Sequence, residues 1–509
     1  MSTLRGDHSN QSGFEASQTL NRWLSSWLSP EKERPLLRAG AGLILGAVIA
    51  ALAFEQPLIA GVPFAILGAA IWLLDFRPYY FLILLSTPLS MEFAVSPSLA
   101  TDLPTEPLML LLTGTFFARL ILKRHEIPWE RFRHPLATWV FLALLWSVVT
   151  VVFSVDRTVS GKWLLAKVWY VFAFGGVTLL VMKTARDFRA IFWCLFVPTL
   201  FTVVWTLVKH ASFNFGFAQV NLSMEPWYRN HVNYAVFLAL VYPFLWLAAS
   251  WYRKWSWQRM LLNTSKVLFG AAIYFSYTRS SWVSLVVAAA AFIVMSRHLL
   301  KPATILALVC LFGTCAWLLN DNKYLDYAPD FSKTIYHDDF GDHMAATTSL
   351  EDVSSAERIY RWVAGWYMFE DKPITGFGPG NFYPWYQFYT VSSFYTYTSR
   401  NEERSTVHNY YILLLLEQGF LGCFLFFCLI TTAVFRGQSI YSRARDPETK
   451  RLAMAVTLSF ITILVNLFFS DLLEADKIGT LFFLLLAVLI VLDLNSRKAL
   501  SVSKEEIQE

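Results

Sequence analysis

Charged side chains are scarce in this 509-residue chain, in which 16% of the residues are charged, 56% are hydrophobic and 17% are aromatic. A soluble protein of this length carries more charge, so the composition argues against a soluble fold. Cysteine is also rare: all five cysteines lie in apolar runs, and residues 320–407 contain none. This long polar segment therefore has neither a disulfide nor a cysteine-based metal site. The net charge of +5 is spread over short loops, which does not indicate a nucleic-acid partner.

Repeated apolar runs of about 17–20 residues, bounded by charges or prolines, are long enough to cross a bilayer as helices. Helices are the expected spans because backbone groups in lipid must hydrogen-bond within their own segment. The sequence thus predicts an all-α polytopic membrane protein with about 12–14 transmembrane helices and one large outward loop that contains short helices. The predicted spans lie near residues 37–53, 58–74, 79–91, 106–118, 136–153, 162–182, 187–208, 231–250, 262–278, 281–296, 303–319, 408–431, 452–470 and 477–493. The third and fourth are short enough to be tilted, re-entrant or interfacial.

Lysine and arginine are concentrated in alternate short loops, which predicts that these loops share the cytoplasmic side. They lie near residues 119–133, 183–189, 253–259, 297–301 and 436–451. The predicted organisation is a cytoplasmic tail without a cleaved signal peptide (1–36), transmembrane helices (37–319), a large periplasmic loop (320–407), C-terminal transmembrane helices (408–493) and a second cytoplasmic tail (494–509).

Five ionisable residues stand out on the outward side, namely Arg229, Arg279, Arg358, Arg361 and His408. Each has an ordinary explanation as well, such as a hairpin turn for Arg279, loop salt bridges for Arg358 and a helix-start residue for His408. A shared functional site is favoured for the five residues together, because separate helix ends and the outward loop bring their side chains to the same level of the membrane. Arginines bind phosphate by bidentate hydrogen bonds, and histidine takes a proton near neutral pH. The set suits a lipid-pyrophosphate donor that is attacked by a hydroxyl group.

The outward loop has three further features. Its glycine-rich run from Pro373 to Asn381 lacks the lysine and hydroxyl residue of a nucleotide-binding loop and is predicted to be a tight turn. Trp362, four residues before Trp366, is more simply a packing residue than a sugar platform. No metal and no cofactor is predicted. The loop also contains an acidic cluster, Asp338, Asp339 and Asp342. This cluster is expected to be part of a solvated loop, with a divalent-cation site as the alternative.

Spaced motifs run through the second half of the chain. His408-Asn409 is followed, after nine residues, by Gly419-x-x-Gly422. The other motifs are Arg358-x-x-x-Trp362, Pro373-x-x-Gly376-x-Gly378, the turn Arg279-Ser280-Ser281-Trp282 and the pair Arg229-Asn230. With these motifs, over roughly residues 225–430, the sequence resembles the O-antigen ligase and O-antigen polymerase superfamily of bacterial envelope proteins, and the His408 motif is the pattern that describes the ligases.

The resemblance implies a glycosyltransferase of the bacterial inner membrane with its active site facing the periplasm, acting by inversion and without metal. The donor would be a glycan linked to polyprenyl pyrophosphate, and the acceptor would be a sugar hydroxyl of lipid A-core or of another glycan. The protein would also be in contact with membrane lipids. Carried over to this sequence, Arg229, Arg279 and Arg358 bind the pyrophosphate, with Arg361 assisting. His408 orients or deprotonates the acceptor hydroxyl. Ligases of this family are usually drawn with twelve spans, and the two loop arginines leave open which of them is functional.

The motifs fit a polymerase of O-antigen or exopolysaccharide as an alternative, because ligases and polymerases use the same donor chemistry. A secondary transporter or flippase is less expected, since charges in transporters lie near the membrane midplane and these lie at span ends. A non-catalytic membrane scaffold would not need the histidine and the arginines together. The sequence therefore predicts a ligase-like enzyme, with a polymerase as the runner-up.

Overall fold

The computed structural model of the chain describes Trp72 and residues 75–96, 99–327, 353–390 and 406–508. The chain divides into two units, Met1–Pro78 and Tyr79–Glu509. In the described part of the first unit, the backbone N–H of Arg77 donates to Asp75 Oδ1 at 3.0 Å. The predicted tail 1–36, the span 37–53 and all of the span 58–74 except Trp72 lie outside the described residues.

Helices dominate the described residues, and two strands form one hairpin. Strands β1 (Met91–Ser96) and β2 (Leu99–Leu103) pair antiparallel, with Glu92 opposite Asp102. A π-helical turn at Tyr170–Gly176 joins α5 to α6. The helices in chain order are α1 (Arg77–Ser86), α2 (Thr105–Leu122), α3 (Trp129–Phe132), α4 (Pro135–Val152), α5 (Arg157–Trp169), α6 (Val177–Val181), α7 (Phe188–Ala211), α8 (Val220–Met224), α9 (His231–Ala249), α10 (Trp257–Phe275), α11 (Arg279–Ser296), α12 (Leu300–Leu319), α13 (Val353–Asp371), α14 (Phe382–Tyr386), α15 (Tyr410–Arg443), α16 (Pro447–Asn466) and α17 (Asp476–Gln508).

Nine helical segments within the described residues are long and apolar enough to cross a membrane. This confirms the prediction of an all-α, multi-pass membrane protein. The predicted third span is only partly helical, because α1 has ten residues and the chain then enters the hairpin. Helices α10 and α16 have the length of a span but not the apolar composition. Helix α17 continues beyond the predicted boundary at 493 as far as Gln508.

The basic loops predicted to share one side of the membrane meet at one end of the helices, which we call the basic end. The Arg131 guanidinium donates to the carbonyl oxygens of Leu179 and Met182, at 2.5 and 2.6 Å. Arg189 forms a bidentate ion pair with Glu448, with N–O distances of 2.8 and 3.0 Å. The opposite end, where α9, α11 and α15 begin and where residues 353–390 lie, is called the motif end.

A buried carboxylate organises the basic end. Asp493 on α17 is fully buried, and its oxygens contact Arg443, Arg497 at 2.7 Å and Nε2 of His134 at 3.0 Å. Arg436 lies slightly farther away, at 3.9 Å. One carboxylate thus neutralises guanidinium groups of two helices, α15 and α17, and it also binds the imidazole of the residue that precedes α4, so it ties these elements together.

Replacing Asp493 with Asn is expected to destabilise the protein by about 3 kcal/mol, because arginines that lose a buried partner keep their charge and their desolvation cost. The measurement is the midpoint of thermal unfolding in detergent. Glu130→Gln is the matched control, since the 2.7 Å ion pair between Glu130 and Lys498 is solvent-exposed and is expected to matter little. Equal midpoints for the two variants would contradict this account of the basic end.

Helix α16 is the common neighbour of the helices that begin at the motif end. It packs against α9, α11 and α15. The Ser459 hydroxyl on α16 donates to the carbonyl oxygen of Leu240 on α9 at 2.8 Å. Where α16 ends, the carbonyl oxygen of Leu467 accepts a 2.9 Å hydrogen bond from the backbone N–H of Tyr410. The start of α15 is therefore fixed to the end of α16.

Candidate active site at the motif end

The pair His408-Asn409 forms the turn that begins α15. The Asn409 side chain caps the helix, because its Oδ1 accepts hydrogen bonds from the backbone N–H groups of Tyr411 and Ile412 at 3.0 and 3.1 Å. His408 has a φ of 52°, in the left-handed region that few residues other than glycine adopt. The predicted motif residues thus have different local roles: Asn409 starts the helix, and His408 stands just outside it in a strained conformation.

Two arginines of α13 lie near His408. Arg361 is 4% exposed, and its Nη1 donates to the carbonyl oxygen of Thr406 at 3.4 Å. Its Nε has no hydrogen-bond partner among the described residues. Burial, with the positive charges of Arg361 and then Arg358, lowers the pKa of His408 from its usual 6.5 to about 3. The imidazole is therefore neutral at physiological pH, in the form that accepts a proton.

Helix α13 is held closely against α15. A Cβ atom on Gly365 would lie 2.8 Å from the Cγ2 of Ile412 and 3.1 Å from a methyl group of Leu416, so the helices approach where α13 has no side chain. Trp362 is half-buried on the same helix, and its Nε1 lacks a hydrogen-bond partner among the described residues. The prediction that Trp362 is a packing residue is consistent with this position. The close contact holds Arg361 near the start of α15.

Helix α15 is interrupted at Gly419, which has φ 70° and ψ −174°. The interruption leaves backbone carbonyl groups without helical partners, and the glycine-rich loop supplies donors for them. The N–H of Phe377 donates to the Leu416 carbonyl at 2.8 Å, and the N–H of Gly378 donates to the Glu417 carbonyl at 2.9 Å. Irregular backbone within a membrane span is stable only when protein groups satisfy its hydrogen bonds, as they do here.

The motif glycines are required by this contact between two backbones. A Cβ atom on Gly419 would overlap the carbonyl group of Ile374, and one on Gly376, where φ is 66°, would overlap the carbonyl group of Glu417. The two glycine motifs, which are some forty residues apart in the sequence, therefore form one interface. The other two glycines of the motifs also lie in tight contacts, Gly378 against Ser154 and Gly422 against Gln418.

Sequence reasoning missed the side chains that lock the glycine-rich loop in place. The fully buried Asn381 donates from Nδ2 to the hydroxyl oxygens of Ser154 and Ser160, at 3.0 and 2.9 Å. The buried Glu417 accepts a 3.2 Å hydrogen bond from the backbone N–H of Phe382. A sequence signal existed for both: Asn381 directly follows the glycine run, and Glu417 is a carboxylate inside an otherwise apolar helix.

A second group missed by sequence reasoning extends from His408 along the segment between α16 and α17. The Thr406 hydroxyl accepts from the backbone N–H of His408 at 3.3 Å and hydrogen-bonds to the Asp471 carboxylate. Burial nevertheless raises the pKa of Asp471. Three residues farther on, Glu474 forms a 2.9 Å ion pair with Lys167 of α5. These contacts fix the backbone next to His408 to both α5 and the segment that leads into α17.

Arg279 is the first residue of α11, at the motif end. The residue before it, Thr278, donates from its hydroxyl group to the carbonyl oxygen of His231 at 3.3 Å. The starts of α11 and α9 are thus adjacent, and both helices pack on α16 together with α15. The structure therefore places Arg279 at the same end of the helices as His408.

Arg229 is held by carboxylates of the β-hairpin. Its Nε lies 2.9 Å from Glu92 Oε2, and its guanidinium also lies 3.7 Å from Asp102 Oδ2. Burial, followed by a hydrogen bond with Asp476, raises the pKa of Asp102 to about 7. Of the predicted site residues, Arg358 and Arg361 are thus close enough to His408 to act on its charge, whereas the ion pairs of Arg229 are with the hairpin.

Three carboxylates among the described residues are close enough to hold a metal ion, with oxygen atoms within 4.8 Å of one another: Asp102, Glu106 and Asp476. Arg229 lies against one of them and already supplies positive charge to this group. The group was not among the metal candidates predicted from the sequence. The acidic cluster that was considered there lies outside the described residues and consists of Asp338, Asp339 and Asp342.

Residues 264–427 match a protein family described as O-antigen ligase. The matched segment includes Arg279, Arg358, Arg361 and the whole His408 motif as far as Gly422, and it ends before α16. Arg229 lies outside it. A search of curated proteins found no relative that matches the chain.

Proposed function

We propose, from the premise that this chain belongs to the O-antigen ligase superfamily, that it transfers a glycan from polyprenyl pyrophosphate to a sugar hydroxyl of an acceptor such as lipid A-core. The observation that carries the proposal is the position of His408, half-buried beside Arg358 and Arg361 at a helix start on the motif end. Transfer is inverting and needs no metal ion. It takes place at the periplasmic face of the bacterial inner membrane.

Arginines provide the charge that a departing pyrophosphate requires. Arg361 has a buried guanidinium whose Nε has no hydrogen-bond partner among the described residues, and such a group binds a phosphate oxygen strongly. Arg358 comes from the same helix and Arg279 from the start of α11. The three guanidinium groups stabilise the negative charge that develops on the leaving group, the task that a divalent cation performs in other enzymes. Arg229 takes no part in donor binding in this proposal, because its guanidinium is paired with Glu92 and Asp102 of the hairpin.

His408 is proposed as the base that takes the proton of the acceptor hydroxyl. The acceptor oxygen bonds to the anomeric carbon of the donor sugar, the bond from that carbon to the phosphate oxygen breaks, and the hydroxyl proton passes to the imidazole. Bound pyrophosphate offsets the positive charges of Arg358 and Arg361, so it raises the pKa of His408 again. The imidazole is therefore the strongest base when the donor is bound. Attack from the face opposite the leaving group inverts the anomeric configuration.

The distribution of charge and the topology support the proposed location. The basic loops meet at the end opposite His408, and loops rich in lysine and arginine stay on the cytoplasmic side. The motif end then faces the periplasm, where glycans linked to lipid pyrophosphate are available at the membrane surface.

The proposal is tested with purified protein in EDTA, supplied with a polyprenyl-pyrophosphate-linked glycan and with separate acceptors. Transfer onto lipid A-core without added metal is expected. A ladder formed from the donor alone would instead identify a polymerase. Movement of glycan across vesicles without any transfer product would identify a transporter and overturn the proposal.

Arg279→Lys is expected to lower kcat/KM roughly 10²-fold, nearly as much as Arg279→Ala, because the planar guanidinium makes two parallel hydrogen bonds to a phosphate and an ammonium group cannot. The measurement is steady-state transfer with varied donor. Arg297→Lys, at the exposed opposite end of the same helix, is the matched control and should leave the kinetics unchanged. Full activity of Arg279→Lys would show that a point charge is sufficient.

A further inference from the structure

A cavity of about 640 Å³ lies beneath the β-hairpin, and we call it the hairpin cavity. Its walls come from four parts of the chain: β1, the end of β2, residues 225–233 at the start of α9 and residues 475–478 at the start of α17. Apolar side chains of the hairpin, Met91 and Phe93, lie beside polar side chains of α9 and α17. Its size and mixed lining are those of a site for an organic ligand.

The charges of the hairpin cavity disfavour an anionic ligand. Its lining contains two cationic side chains, Arg229 and Lys477. Lys477 donates to the backbone carbonyl oxygens of Pro88 and Ser90 at 3.2 and 3.0 Å, so its charge is held by the protein. Carboxylates outnumber these cations even when Asp102, whose pKa is about 7, carries a proton, because the lining also contains Glu92, Glu225 and Asp476.

Two polar atoms of residues in the cavity wall are buried without a hydrogen-bond partner among the described residues. They are Nε1 of Trp227 and Oδ1 of Asn233, both from the segment 225–233. One is a donor and the other is an acceptor. Buried polar groups are nearly always paired in folded proteins, so two such groups on one wall point to a ligand that both donates and accepts hydrogen bonds. Hydroxyl groups have this property, and neither phosphates nor simple cations do.

The hairpin cavity is close to His408 along the chain that joins α16 to α17. Asp471 hydrogen-bonds to Thr406, two residues before His408, and Asp476 lies in the cavity wall. Asp471 and Asp476 are five residues apart, and five residues of fully extended chain span at most about 17 Å. The backbone positions of the two residues are therefore separated by no more than about 17 Å. A glycan chain of a few sugar units can extend over such a distance.

We infer that the hairpin cavity is a saccharide subsite that binds uncharged sugar units, through Trp227 and Asn233. That these units belong to the acceptor glycan rests on the proposed function; that the cavity binds sugar does not. The negative balance of the cavity separates the two substrates, because it repels the pyrophosphate of the donor and admits a neutral, hydroxyl-rich chain.

The test uses saturation-transfer difference NMR on the full-length protein in detergent, with the neutral disaccharides lactose, cellobiose and chitobiose as probes. Glucose 1-phosphate is the anionic comparison. At least one neutral disaccharide should bind, and glucose 1-phosphate should bind more weakly or not at all. Trp227→Phe keeps an aromatic ring and removes the N–H donor, and Asn233→Leu removes the amide; each should weaken binding about tenfold.

Matched control variants come from a separate, exposed groove between α9 and α10, which is lined by another tryptophan and another asparagine, Trp246 and Asn263. Trp246→Phe and Asn263→Leu should leave sugar binding unchanged. Absence of saturation transfer to every disaccharide would overturn the inference, as would equal or tighter binding of glucose 1-phosphate. Displacement of a bound disaccharide by CaCl₂ would also overturn it, because the carboxylates would then form a cation site.

His408→Ala separates this inference from the proposed function. The variant should lose transfer and keep disaccharide binding. If wild-type protein binds the sugar but catalyses no transfer, the subsite stands and the proposed function fails. If transfer occurs and Trp227→Phe and Asn233→Leu bind sugar as well as the wild type, the subsite fails and the proposed function stands.

Discussion

His408→Ala is expected to reduce the rate of glycan transfer by about 10²–10⁴-fold, because it removes the proposed base beside Arg358 and Arg361. Expression and membrane insertion should persist, since the side chain lies outside the helix and Asn409 supplies the cap. The measurement is kcat with saturating donor and acceptor. Retained activity would remove His408 from the mechanism.

A second variant and a matched control distinguish chemistry from folding. His408 has a positive φ, and asparagine tolerates this conformation better than most residues. His408→Asn should therefore fold like the wild type and still be inactive. His298 also has a positive φ, 61°, but lies at the basic end, where its Nδ1 hydrogen-bonds to Ser442 at 2.8 Å. His298→Asn should keep full activity.

The low pKa of His408 fixes the direction of the pH dependence. Only the neutral imidazole accepts a proton, so activity is lost as the pH falls through the pKa of His408. In the free enzyme this pKa is about 3, and the acid limb of kcat/KM should therefore lie well below the usual histidine value of 6.5. Donor binding raises the pKa, so the acid limb of kcat should lie at a higher pH than that of kcat/KM. Coincident acid limbs at pH 6.5 would contradict the electrostatic account.

Gly419→Ala is expected to destabilise the protein by at least about 3 kcal/mol and to abolish transfer. Its Cβ would overlap the carbonyl group of Ile374, and its φ of 70° is strained for alanine. Separation of the two glycine motifs would break the hydrogen bonds from Phe377 and Gly378 to the interrupted helix. The measurements are the midpoint of thermal unfolding and the transfer rate.

Gly313→Ala is the control for this substitution. Gly313 lies within α12, and no atom outside the helix backbone lies within 4 Å of the position that its Cβ would occupy. Alanine should stabilise that helix slightly, because glycine is a poor helix former. If Gly419→Ala unfolded at the same temperature as Gly313→Ala, the interruption of α15 would not need a glycine.

The sequence by itself determined the membrane class and the residues of the motif end. Apolar run lengths are sufficient to find membrane helices, because lipid forces each span to satisfy its own backbone. The spacing of His408, Asn409 and Gly419 was also recognisable as a motif. The alternation of basic and non-basic loops predicted which loops lie together at the basic end. These features depend on local composition and order, which a sequence shows directly.

The tertiary structure decided how those residues are used. The apolar run after His408 is typical of a continuous helix, and only the docking of the loop at Gly376 explains why α15 is interrupted at Gly419. The sequence grouped Arg229 with the other arginines because of its positive charge and its outward position. In the structure, Arg229 forms ion pairs with Glu92 and Asp102, which lie over a hundred residues earlier in the chain. The pKa of His408 likewise depends on burial and on α13. Contacts between distant segments set these properties, because they fix which groups share a desolvated space, and no local pattern in the sequence records that.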